Sequence, residues 1–113
     1  MIESILTSYL SGKLPVPVHM EAPEDKTGSY VLLQKTGSQR HNRLDHASIA
    51  IQSIAPSLYE AAVLNENVKT VMEQLPYQEP NVFRAELNSD YNFTDTETKE
   101  RRYQAVYIIT YKE

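Results

Sequence analysis

Asp45, His46 and Ser48 are the residues of this chain whose types come closest to a hydrolytic triad. Such a triad needs a nucleophile, a base to take its proton and a carboxylate that orients the base. Neighbouring strand residues point to opposite faces, however, so Asp45 and His46 diverge. No G-x-S-x-G turn exposes a serine. The three read as polar side chains at a strand entrance. His41, Asp45 and His46 are the nearest approach to a metal site, yet no H-x-x-H or H-E-x-x-H spacing sets two imidazoles on one helical face. Loop histidines beside arginines are ordinarily solvated. Asp90, Asn92 and Asp95 resemble a fragment of a calcium loop, but no glycine follows Asp95 to make the sharp turn that such a loop requires.

Glycines stand only at positions 12, 28 and 37, too scattered for a phosphate-binding loop. There is no cysteine, which excludes disulfides, zinc–thiolate sites and thiol nucleophiles and fits a reducing compartment. Tyr103, Tyr107 and Tyr111 raise the question of base stacking on a sheet. That use needs a basic surround, whereas Arg101 and Arg102 are opposed by Asp90, Asp95, Glu97 and Glu100. Fifteen acidic against eleven basic residues give a formal charge of −4, a poor start for phosphate contacts. The tyrosines read instead as rings packed on a helix or a neighbouring subunit. No catalytic residue, cofactor, metal or specific nucleic acid is expected.

The elements that must position these residues follow from periodicity. At 113 residues, with 41% apolar and 23% charged side chains, the chain is expected to form one soluble domain over 1–113, with a modest core. Ile2, Ile5, Leu6, Tyr9 and Leu10 mark one helical face, with Gly12 as a C-cap, predicting a helix over about the first eleven residues. Pro15 and Pro17 confine Val16 to Met20 to an edge strand. Residues 21–28 read as a polar loop, Tyr30 to Gln34 as a strand and Gly37 to Asp45 as a second polar loop. Ala47, Ile49 and Ile51 alternate as in a half-buried strand.

Ser57 and Glu60 form a capping box for the main helix, which Pro76 ends at Leu75. Its buried face is expected from Leu58, Ala61, Ala62, Asn65, Val68, Val71, Met72 and Leu75. Val82 to Leu87 is a strand, and Asn88 to Glu100 an exposed loop or hairpin tip. Tyr103 to Tyr111 is the strongest strand, apolar enough on both faces to be central. The expected fold is α+β, a mostly antiparallel sheet of four to five strands with two helices packed on one face. The N-terminus carries Glu3 where a signal peptide is positive, and no apolar run approaches the roughly 20 residues of a membrane span. A cytoplasmic protein is expected.

Two loops of opposite charge, Arg40, His41 and Arg43 against Glu21, Glu24 and Asp25, admit two readings. Both are solvated, or they meet between identical subunits in a head-to-tail ring, where contacting surfaces are complementary rather than identical.

The layout as a whole resembles a known family. A short N-terminal helix leads into Leu14-Pro15-Val16-Pro17-Val18, then an acidic Pro-containing loop and Ser29-Tyr30-Val31-Leu32-Leu33-Gln34. An Asp45-led strand runs into a central helix, and the chain closes with Tyr91-Asn92-Phe93-Thr94-Asp95 and Arg101-Arg102-Tyr103-Gln104-Ala105-Val106-Tyr107. This is similar to the tail-terminator and tail-completion proteins of long-tailed bacteriophages, including small "minor capsid" proteins of phages and prophages. The resemblance implies a structural virion protein, made in the host cytoplasm, that forms a ring, usually a hexamer. That ring caps the tail tube and meets the tail tube protein on one side and the head–tail connector on the other. A head-closure protein of the same morphogenesis module and a non-enzymatic bacterial adaptor are the alternatives. The residues expected at subunit or partner contacts, on exposure and charge, are Arg40, His41, Arg43, Asp90, Tyr91, Asp95, Arg101 and Arg102.

Overall fold

The computed structural model describes residues 1–25 and 27–112. Helix α1 spans Ile2–Lys13 and buries Ile2, Leu6, Tyr9 and Leu10. It runs past Gly12, which lies inside it, and stops because Leu14 precedes Pro15. A residue before proline is driven into extended backbone, and Leu14 has φ −101 and ψ 148.

Strand β1 is only Val18–His19 and pairs in parallel with β2, Tyr30–His41. Strand β3 is Leu44–Ala55. The expected polar loop at 37–45 is therefore a hairpin, turned by Asn42 and Arg43 at φ 52 and 66. Two residues at positive φ make the type I′ turn that matches strand twist. The loop reading failed because Gly37 to Arg43 is polar on both faces and the turn contains no glycine.

Helix α2, Leu58–Glu73, begins on its expected cap: Ser57 Oγ accepts from Glu60 N–H at 3.2 Å and donates to Glu60 Oε2 at 2.9 Å. Leu64 joins its buried face, whereas Leu58 is exposed. Pro76 does not end this helix. It sits in the first turn of a separate short helix α3, Leu75–Gln78, where a missing N–H costs nothing. Strand β4 is Val82–Asn92 and β5 is Arg101–Tyr111. Five residues expected in a loop, Asn88 to Asn92, thus belong to β4, with a register shift between Leu87 and Ser89. An edge strand with polar side chains on both faces carries no alternation to read.

The result is an α+β fold whose described residues form three helices and a five-stranded mixed sheet, ordered β1-β2-β3-β5-β4. All pairings except β1 with β2 are antiparallel. The central strand is β3. Strand β5 is paired on both sides but lies next to the edge. Alternate residues Val31 and Leu33, Ala47, Ile49 and Ile51, and Ala105, Tyr107, Ile109 and Tyr111 share one core cluster with buried residues of α1 and α2. Strands of twelve residues span about 40 Å, so the β2–β3 hairpin sets the long axis of a body 43 × 25 × 23 Å. Among the described residues no helix is long and apolar enough to cross a membrane.

Candidate assembly interface

The eight expected contact residues separate into three places. At the hairpin tip, Arg40 lies opposite Asp45 across the strands and donates from Nε and Nη2 to the two carboxylate oxygens, at 2.7 and 3.3 Å. This holds the Asp45 carboxyl below the usual carboxylate range, chiefly through the Arg40 hydrogen bond. His41 is exposed on the last residue of β2, and Arg43 is exposed in the turn. Every residue from Gln34 to Arg43 is exposed.

At the opposite end of the long axis, residues 93–100 fold back on the sheet. Asp95 accepts from the backbone N–H groups of Glu97 and Thr98 at 2.9 and 3.2 Å, which lowers its pKa. Arg102 donates to Gln52 at 3.0 Å, to Glu100 at 2.9 Å and to Asp95 at 3.5 Å, and its guanidinium lies over Phe93. Tyr30 donates to Glu100 at 3.0 Å, and burial together with that carboxylate pushes its pKa up to about 12. Tyr91 accepts from Gln104 Nε2 and packs edge-to-face on Phe93. Arg102, Asp95 and Tyr91 thus knit this end together from within, and Arg101 stands exposed beside them.

Asp90 lies elsewhere, on the helix-facing side of β4. It accepts from Asn65 Nδ2 at 2.6 Å and Lys69 Nζ at 2.5 Å, tying β4 to α2. Asn65 is 2% exposed, so this carboxylate gives its buried Nδ2 an acceptor. The hydrogen bond to Asp90 leads the causes that raise the Lys69 pKa, with Glu66, 2.6 Å away, next. Asp90 therefore has an internal partner set that its position in a polar run did not reveal.

Beside Asp90 runs a groove of about 570 Å³ between α2 and β4, lined by Glu66, Lys69 and Glu73 on the helix and Ala85 and Leu87 on the strand, with Tyr107 beneath. Burial pushes the Tyr107 hydroxyl up to about 12. The sequence reading missed this groove. Its signal was available in the spacing of Glu66, Lys69 and Glu73, which places all three on one helical stripe. Large apolar side chains stay uncovered along this flank: Tyr77 on α3 is 85% exposed, Phe83 on β4 54% and Leu87 46%.

The residues considered for chemistry do not converge. His46 Nδ1 meets Thr110 Oγ1 at 3.1 Å, Asp45 is held by Arg40, and Ser48 Oγ accepts from Thr36 at 2.9 Å. Asn92 accepts from Thr94 while Asp90 and Asp95 serve the separate contacts above. Among the described residues no group of three or more His, Asp or Glu is placed to hold a metal ion. Tyr107 and Tyr111 are buried in the core, so neither offers a ring to a base. What the arrangement offers is surface, a cationic turn and a carboxylate-rimmed groove. No protein-family model and no curated protein matches this chain.

Proposed function

We propose that the chain is a non-enzymatic structural subunit that caps a phage tail tube as an oligomeric ring and joins it to the head. The ring, a hexamer in this reading, meets the tail tube protein on one face and the head–tail connector on the other. Assembly takes place in the host cytoplasm and the product resides in the virion. The observation that carries the reading is the uncovered flank: Tyr77 on α3 and Phe83 and Leu87 on β4, two elements in contact, are left in solvent. Exposed large apolar side chains on neighbouring elements mark interaction surfaces. In this reading the two longer helices share one face of the sheet, and neighbouring copies cover what they leave bare. The layout resemblance to tail terminators supplies the identity of the assembly.

The test uses purified tails that lack their terminator, purified heads, and this protein. Electron microscopy is expected to show density at one end of each tail and an arrest of further tube growth. Binding to heads alone would replace the reading with head closure. Binding to neither would leave a bacterial adaptor and remove the phage assignment.

A further inference from the structure

We infer that the β2–β3 hairpin tip of one copy docks in the α2–β4 groove of the next, setting Arg43 between Glu66 and Glu73. The inference rests on the reading of the chain as a self-assembling subunit and names the contact that would build the ring.

Charge complementarity argues for this occupant. Within the groove and at its edge, Glu66, Glu73 and Asp90 face the single ammonium of Lys69, which its two carboxylate neighbours already hold. The Tyr107 hydroxyl at the floor lies within reach of all four charges: beyond the effect of burial, Lys69 lowers its pKa, whereas Glu73, Asp90 and Glu66 raise it. Glu66 keeps 68% of its side chain in solvent and has room for a second cation. At the tip, the Arg40 charge is matched by Asp45, which leaves Arg43 as the cation the turn presents outward. The turn also holds Arg43 at φ 66, a conformation that favours glycine. A long side chain kept in such backbone points to a use for its guanidinium. An arginine suits two carboxylates because its planar fork donates to both. The apolar wall of Ala85 and Leu87 matches the alkyl stem of the same side chain.

The geometry is head-to-tail. The tip lies at one end of the long axis, whereas the groove lies along the β4 flank. Each copy therefore offers one of each, and the contact propagates from copy to copy.

Charge reversal tests it on the full chain. Arg43→Glu and the double variant Glu66→Lys/Glu73→Lys are each expected to weaken self-association at least tenfold by sedimentation velocity at low salt. An equimolar mixture of the two should recover it, because each reversed tip meets a reversed groove and each natural tip a natural one. Circular dichroism checks folding, and Glu66→Gln/Glu73→Gln serves if the lysine variant misfolds. The absence of native cysteine allows a second readout. Copies carrying only Asn42→Cys should form mixed disulfide dimers with copies carrying only Thr70→Cys, in excess of either variant alone.

A natural chain that is monomeric at every concentration would overturn the inference. So would association that survives Arg43→Glu, or mixing that restores nothing. Recovery on mixing without any binding to tails keeps this contact and removes tail capping. Tail capping unaltered by Arg43→Glu does the reverse.

Discussion

Replacing Arg43 with glycine should make the monomer more stable and the assembly weaker. Arg43 sits at φ 66 in a two-residue turn with Asn42 at φ 52. For an L-residue with a β-carbon this region costs about 1–2 kcal/mol. Asparagine tolerates it, whereas arginine has no local hydrogen bond with which to offset it. Glycine removes that cost but gives back about 0.5–1 kcal/mol through the freer unfolded chain. The net gain is roughly 0.5–1 kcal/mol. For a domain of this length that corresponds to a rise of about 2–5 °C in Tm. Melting must be followed at concentrations where the chain is monomeric, since association would itself raise Tm. Arg43→Ala is the control, because alanine keeps the backbone cost while removing the charge. It should leave Tm near that of the natural chain and still impair self-association. If glycine lowers Tm, the turn does not hold residue 43 in a left-handed conformation and the strain argument fails. If glycine and alanine both leave association intact, Arg43 is not the contact.

Asp90→Ala should cost about 1–3 kcal/mol in urea titrations, because it strands the buried Asn65 amide, while Lys69 keeps Glu66 as a partner. Asp90→Asn, which keeps an acceptor, should cost visibly less, and equal losses would show that the hydrogen bond to Asn65 contributes little. Ser57→Ala should lower stability by about 1 kcal/mol through the lost α2 cap, with Ser57→Gly closer to the natural chain. At alkaline pH, Tyr30 and Tyr107 stay protonated in the folded state up to about 12. Unfolded tyrosines ionise near about pH 10. Between those values the folded chain binds more protons, so stability falls as pH rises from about 10 towards 12. Tyrosinate absorbance at 295 nm should show a late component that Tyr30→Phe/Tyr107→Phe reduces, with Tyr9, also raised by burial, left in it.

Periodicity revealed the fold wherever alternate or helically spaced residues enter the core. Helix α2 and strands β3 and β5 carry regular apolar spacing because the core cluster takes Leu64, Val68 and Met72, Ala47, Ile49 and Ile51, and Ala105, Tyr107 and Ile109, and their existence is plain from the residues. The hairpin between Gly37 and Arg43 carries no such record. Its side chains face solvent on both sides, and only backbone pairing with β3 holds it. The extension of β4 through Asn92 was hidden for the same reason. Turn chemistry misled at both ends as well. Gly12 looked like a helix stop where Pro15 sets it, and Asn42-Arg43 closes a hairpin without the glycine that usually marks one.

The surface residues teach a narrower lesson about charge. Exposure and sign put Asp90, Asp95 and Arg102 among the contacts expected of the sequence, yet all three have partners within the chain. Asp90 answers a buried amide on α2, and Arg102 gathers Gln52, Glu100 and Asp95. A polar run holds both kinds of residue, those that fasten the fold and those left over for a neighbour. Composition cannot sort them, because the sorting depends on what the helix layer brings opposite each strand position. Arg43 belongs to the second kind: it stands in a turn, and no ion pair to it occurs among the described residues. Lys69 shows the converse, a cation spent inside its own chain on Asp90 and Glu66. The groove beside it keeps a surplus of carboxylate because that one ammonium pairs with Asp90 and Glu66 and makes no ion pair with Glu73 among the described residues. The physical basis for expecting a second cation there is that imbalance, which a partner's guanidinium would correct.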